Sequence, residues 1–194
     1  MKKNPYQINK VLAGADVKII SNDVYQMEWK DYNPHPKGLR TGDCVKRALT
    51  AAFDKPYNEV AYQLQRTASM MGYRENNIQI VYGKILKYSG FENYYNAPNS
   101  TFKFLGKNAY ELSKVFPKGK VVIQFNRHLA TMIDGVLYDS WPSAHLEAEC
   151  VYIDETAKNN IDLNGIQKAL IQIQPKVSPS LVVSFSKNVD KGGY

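Results

Sequence analysis

Apolar and polar residues alternate over residues 16–20 and 24–29, and Ser21-Asn22-Asp23 between them is turn-forming, so the pattern predicts a β-hairpin. After a proline-rich loop the period changes: Val45, Ala48, Leu49 and Ala52 recur at helical spacing, with Asp43 a good N-cap residue and Cys44 the first helical position. Residues 56–65 read as a second helix with apolar Val60, Ala61 and Leu64, and residues 77–88 as a third ending near Gly90. A short helix over 108–116 stops before Pro117, after which residues 120–125 open a sheet that continues into a hairpin. Residues 148–153 form a further apolar strand, 164–170 a helical turn or two, 180–185 a last strand and 187–194 a frayed tail. Helices precede and strands follow. That order indicates one α+β domain over residues 1–194, a helical layer packed on an antiparallel sheet. Within it, residues 1–30 are an N-terminal strand extension, 31–153 the core and 154–194 a C-terminal extension.

The hairpin over residues 126–141 carries the most information. Asp134-Gly135 between apolar runs signals a type I′ turn, which needs φ > 0 at both central positions. That turn sets Ile133 opposite Val136, Met132 opposite Leu137, Thr131 opposite Tyr138 and Ala130 opposite Asp139. Side chains alternate between faces, so His128 shares a face with Ala130 and hence with Asp139, its diagonal neighbour, where a carboxylate can orient an imidazole. Cys44, at the positive end of a helix, is the group such a histidine would activate. The unpaired N–H groups there, with Lys46 and Arg47 in the first turn, favour thiolate over thiol, while Asp43 pushes the other way. Cys44, His128 and Asp139 are thus a nucleophile, a general base and an orienter.

A single cysteine near a helix start is by itself usually a small buried apolar residue, and a single strand histidine is more often packed or exposed than catalytic. The hairpin geometry favours the chemical reading for this pair. Cys150 and His145 have no comparable setting, and Cys150 reads as a core thiol on an apolar strand. His35, in Asn33-Pro34-His35-Pro36, is a loop residue near enough to the Cys44 segment to leave a substrate contact open.

A helix-borne cysteine followed far downstream by a histidine, a short hairpin and Asp139-Ser140-Trp141 resembles the papain-like cysteine peptidase fold. More narrowly, Gly42-Asp43-Cys44-Val45-Lys46-Arg47-Ala48-Leu49, and the run from Pro117-Lys118-Gly119-Lys120 through His128 to Trp141, resemble small papain-like proteins of bacteriophages and bacteria. The resemblance covers roughly residues 31 to 142 and is specific at its two ends. It implies that Trp141 shields the contact between His128 and Asp139. Such enzymes place a glutamine about six residues before the cysteine to donate to the tetrahedral oxyanion, a contribution worth roughly 10²–10³ in rate. Here that position is Gly38, so Asn33 is the nearest upstream amide able to substitute, with the Cys44 backbone N–H as the other donor.

Composition narrows the reading further. With 44% apolar and 22% charged residues the chain is ordinary for a globular protein. Its longest apolar runs fall far short of the roughly 20 residues a membrane-crossing helix needs, and no secretory segment is expected. Two cysteines make no disulfide framework, which suits a reducing compartment: the cytoplasm, or a host cytoplasm or virion if phage-encoded. The net charge of +7 is dispersed, so no specific nucleic-acid binding is expected. No metal and no cofactor is expected, since paired-cysteine spacing and histidines at i, i+4 are lacking. The expected activity is a cysteine-dependent hydrolase, a peptidase or isopeptidase acting on a protein or peptide through an acyl-enzyme. The alternatives are an acyl transferase or peptidoglycan amidase or peptidase with the same triad, and a catalytically degenerate papain-like module that binds a host or virion protein. Oligomeric state is not legible.

Overall fold

The computed structural model of the chain describes residues 17–21, 26–40, 42–93 and 108–162. The segments read above at 164–170, 180–185 and 187–194 lie outside them. The described chain runs β1 (Val17–Ser21), β2 (Gln26–Asp31), α1 (Cys44–Phe53), α2 (Tyr57–Met70), α3 (Gln79–Tyr88), β3 (Glu92–Asn93), α4 (Ala109–Val115), β4 (Lys120–Phe125), β5 (His128–Ile133), β6 (Val136–Asp139), β7 (Ala148–Ile153) and α5 (Glu155–Asn159). The α+β class holds.

The strands form one sheet in the order β1-β2-β6-β5-β4-β7-β3. It is mixed, which corrects the expected antiparallel sheet: β2 pairs with β6 in parallel, Trp29 opposite Leu137 and Asp31 opposite Asp139. The N-terminal hairpin therefore extends the main sheet through a long-range pairing. A second correction concerns the helical layer, because helices cover both faces. Along β4, Val121, Ile123 and Phe125 join a core with α4 and α5, while Val122 joins a core with α1, α2 and α3. Burial on both sides explains why β4 and β5 read as nearly continuous apolar runs.

The β5–β6 hairpin has the register expected from its turn, with Thr131 opposite Tyr138, Met132 opposite Leu137 and Ile133 opposite Val136. Asp134 and Gly135 take φ of 49° and 80°, both left-handed as a type I′ turn requires. The Asp134 carboxylate also accepts the Gly119 N–H at 2.8 Å, and the Asp134 N–H donates to the Gly119 carbonyl at 2.9 Å. The turn is thus tied to the start of β4.

Helix α1 lies along β5 and runs in the same direction. Thr131 Oγ1 donates to the Ala48 carbonyl at 2.7 Å, and Lys120 Nζ, opposite Ile133, donates to the Ala52 carbonyl at 2.8 Å. Eight helical steps from Cys44 to Ala52 cover about 12 Å. Four strand steps from Leu129 to Ile133 cover about 13 Å. The two elements therefore keep pace, and anchoring Ala48 and Ala52 brings the first residue of α1 to the first residues of β5.

Candidate active site

Cys44 opens α1 with Asp43 as its N-cap residue, as the sequence pattern indicates, but the Asp43 side chain makes no capping hydrogen bond. It turns instead to Arg47, 2.6 Å away and one helical turn on, in an ion pair whose side chains are each 6% exposed. The Tyr57 hydroxyl donates to the same carboxylate at 2.8 Å. Arg47 also donates to the Leu39 and Arg40 carbonyls, both at 3.1 Å, and so fastens the loop that leads into α1. Arg40 ties that loop to the end of β6, donating to the Ser140 carbonyl at 2.7 Å and pairing with Asp31 at 2.9 Å.

His128 opens β5 just after the turn at Asn126-Arg127, and Asp139 ends the antiparallel β6, so the two meet at one end of the sheet. Nε2 of His128 lies 2.5 Å from Oδ2 of Asp139. The Cys44 thiol adjoins the same imidazole and the backbone N–H groups of Leu129 and Val45, all of which act to lower its pKa. With Nε2 committed to Asp139, Nδ1 is the ring nitrogen left for the thiol. The structure therefore brings Cys44, His128 and Asp139 together at one end of the sheet, with His128 bonded to Asp139 and adjoining the thiol.

Electrostatics follows from that arrangement. Burial disfavours charge on either partner, but the Asp139 hydrogen bond and then the Cys44 hydrogen bond outweigh it and raise His128 from 6.5 to about 9. Burial also pushes the Cys44 thiol up, yet the His128 hydrogen bond and the Leu129 and Val45 N–H groups bring it below its ordinary value. Both shifts favour the thiolate–imidazolium form of the pair. Lys46 and Arg47, expected to favour the thiolate, are not what lowers it, and Asp43, expected to oppose it, is neutralised by Arg47.

Two aromatic rings neighbour the imidazole: Phe125 stacks near it at 6.0 Å and 15°, and Trp141 lies tilted at 5.1 Å while staying 39% exposed. Trp141, expected to shield the His128–Asp139 contact, packs against the His128 ring, and His145 meets Trp141 edge-on at 6.2 Å.

Asn33 stands in the loop before α1, where its Nδ2 donates to the Gly38 carbonyl at 3.0 Å and its Oδ1 accepts from the His35 N–H at 3.4 Å. Its amide therefore helps fold that loop. His35 packs edge-on against Tyr57 at 5.0 Å, and its Nδ1 accepts the Lys37 N–H at 3.1 Å. Cys150 is fully buried, and burial raises its thiol, in keeping with a core residue.

Two neighbours of the site escape sequence reasoning. Ser143 is fully buried and donates its hydroxyl to Oδ2 of Asp139, the oxygen that faces His128. Tyr82 donates to Gln124 Oε1 at 2.6 Å and lies close enough to Cys44 that, after burial, Tyr152 and Cys150, a charge on Cys44 adds to the upward push on its phenol. In sequence Tyr82 is one more member of a helical stripe and Ser143 one more loop serine. Among the described residues no group of three or more His, Cys, Asp or Glu can hold a metal ion, and no helix is long and apolar enough to cross a membrane. No family model, no curated protein and no solved structure matches the chain.

Proposed function

We propose that this protein is a cysteine-dependent hydrolase of papain-like fold, a peptidase or isopeptidase that cleaves an amide through an acyl-enzyme. The observation that carries this reading is the single imidazole bonded at 2.5 Å to the buried Asp139 carboxylate and adjoining the Cys44 thiol, each of the two raising its proton affinity. A histidine engaged on one side only would be compatible with packing or a surface ion pair. Engagement on both sides, one partner being a half-buried thiol at a helix start, matches a nucleophile, base and orienter.

The chemistry starts from the ion pair. The Cys44 thiolate attacks the carbonyl carbon, a C–S bond forms and the carbonyl π pair moves onto oxygen. As the tetrahedral adduct collapses, the C–N bond breaks and the imidazolium gives its proton to the leaving amine. His128, now neutral, takes a proton from water as the water oxygen attacks the acyl-enzyme. The C–S bond then breaks, which restores thiolate and imidazolium. Asp139 keeps Nε2 protonated throughout and so leaves Nδ1 for the transfers. The same acyl-enzyme passes its acyl group to an amine where one outcompetes water, the transferase variant of this reading.

Labelling with an electrophilic peptide probe, followed by mass mapping, tests the proposal. The expected adduct is on Cys44 and is lost in His128→Ala. An unlabelled Cys44 in the folded protein refutes the enzyme. One observation favours the second reading, a degenerate module that binds a partner protein: the Asn33 amide is spent on the Gly38 carbonyl. Such a binder would capture its partner equally well with Cys44→Ala.

A further inference from the structure

We propose that Ser143 is a positioning residue of this site: its hydroxyl, donated to Oδ2 of Asp139, fixes the carboxylate against His128 and takes up charge that would otherwise fall on the imidazole. The inference rests on the nucleophile, base and orienter reading and adds a fourth group that acts through the third.

Each oxygen of Asp139 has a defined task. Oδ1 accepts the Ser140 N–H at 2.7 Å, while Oδ2 receives both His128 and Ser143. With donors at both ends the carboxylate plane cannot turn, because any rotation about the side chain breaks at least one charge-assisted hydrogen bond, each worth about 1.5–3 kcal/mol. The backbone is held as well: the Asp139 carbonyl accepts the Tyr32 N–H at 2.9 Å and Trp29 Nε1–H at 3.1 Å.

Ser143 is placed by its own loop. Its N–H donates to the Trp141 carbonyl at 2.9 Å, and its carbonyl accepts the Leu146 N–H at 3.0 Å. The next residue, Ala144, is fully buried in the core on the α4 side and accepts the Ala109 N–H at 3.1 Å. One short loop thus delivers the ring that covers His128 and the hydroxyl that holds its carboxylate. A serine needed only for packing could keep its hydroxyl on a nearby carbonyl, as Ser113 does with Tyr110 at 2.8 Å. Ser143 instead spends its proton on the orienting carboxylate, and the charge it takes is withdrawn from His128.

Titration of the His128 ring by NMR distinguishes this from packing, with Ser143→Ala and the weaker donor Ser143→Cys compared to the native chain. Removing the hydroxyl leaves more charge facing His128, so its imidazolium should hold its proton about three- to tenfold more tightly. Ser143→Cys should fall between the two. An unchanged or lowered midpoint in folded Ser143→Ala overturns the assignment. Because the readout does not require turnover, a raised midpoint together with an unlabelled Cys44 would sink the hydrolase while leaving the positioning role intact.

Discussion

Asp139→Asn is the sharpest perturbation of the site, since it keeps the side chain's shape and removes only the charge. Oδ1 of the amide can still accept the Ser140 N–H, and the Ser143 hydroxyl can rotate to accept from Nδ2. What disappears is the leading interaction that lifts His128 to about 9 against its own burial. Without it the imidazole falls to its ordinary 6.5 or below. At pH 7.5 the native ring is protonated about 30 to 1, whereas a ring of pKa 6.5 is protonated only about 1 to 10, so the imidazolium population drops roughly tenfold. The thiol rises in step, because the His128 hydrogen bond leads the interactions that lower it. The iodoacetamide rate of Cys44 at pH 7.5 should therefore fall about tenfold, with the two profiles drawing together only at alkaline pH, where the thiol ionises without the imidazolium. Mass mapping reads this directly, with buried Cys150 as the slow internal standard in each sample. Superimposable rate profiles for native and Asp139→Asn protein, both with native circular dichroism, would refute the charge argument.

Arg47→Met leaves Asp43 buried beside Tyr57 with no cation, so urea unfolding should show a loss of about 3–5 kcal/mol, with much of it recovered by adding Asp43→Asn. A loss under about 1 kcal/mol would mean the pair is replaceable by packing alone. Gly119→Ala puts a Cβ 2.2 Å from the Ala157 backbone nitrogen at a φ of +86°, and thermal unfolding should register more than about 2 kcal/mol of destabilisation. Asn33→Ala should lower kcat with little change in KM if the amide leaves Gly38 for the oxyanion in the transition state. Unchanged turnover assigns the amide to the loop.

What could be read ahead of the structure was local. Asp134-Gly135 dictates a turn, the turn dictates a register, and alternation then sets His128 near Asp139 with no knowledge of the rest of the chain. Long-range pairing was not legible. β2 joins β6 in parallel across more than a hundred residues, and neither strand carries a mark of the other. The division of helices between two faces was hidden for a related reason, because apolar runs buried on both sides lose the alternation that would say which residue faces where. The role of Arg47 was misread, since charge near a thiol suggests field strength, whereas the i, i+4 spacing from Asp43 spends that charge on a buried pair. Helix α5 is only five residues long, too short for a period, and is fixed by Asp154, whose carboxylate accepts from both Lys120 and Ala157 N–H groups.

The donors around the sulfur carry a structural condition with them. The Val45 N–H belongs to the first turn of α1, while the Leu129 N–H and the imidazole belong to the start of β5. A buried thiolate with neither set would be expelled from its charged form by desolvation. Neither element alone supplies both, so the anion is stabilised only when α1 lies on β5 in one register. That register is enforced at a distance, by Thr131 on the Ala48 carbonyl and Lys120 on the Ala52 carbonyl, each further along the helix than the site itself. The loop before α1 is held separately by Arg47 and Arg40, the latter reaching the Ser140 carbonyl beside the orienting aspartate. The stabilisation of charge on Cys44 is thus a property of the packed interface between helix and sheet, and the alkylation rate of this thiol should report whether that interface is closed.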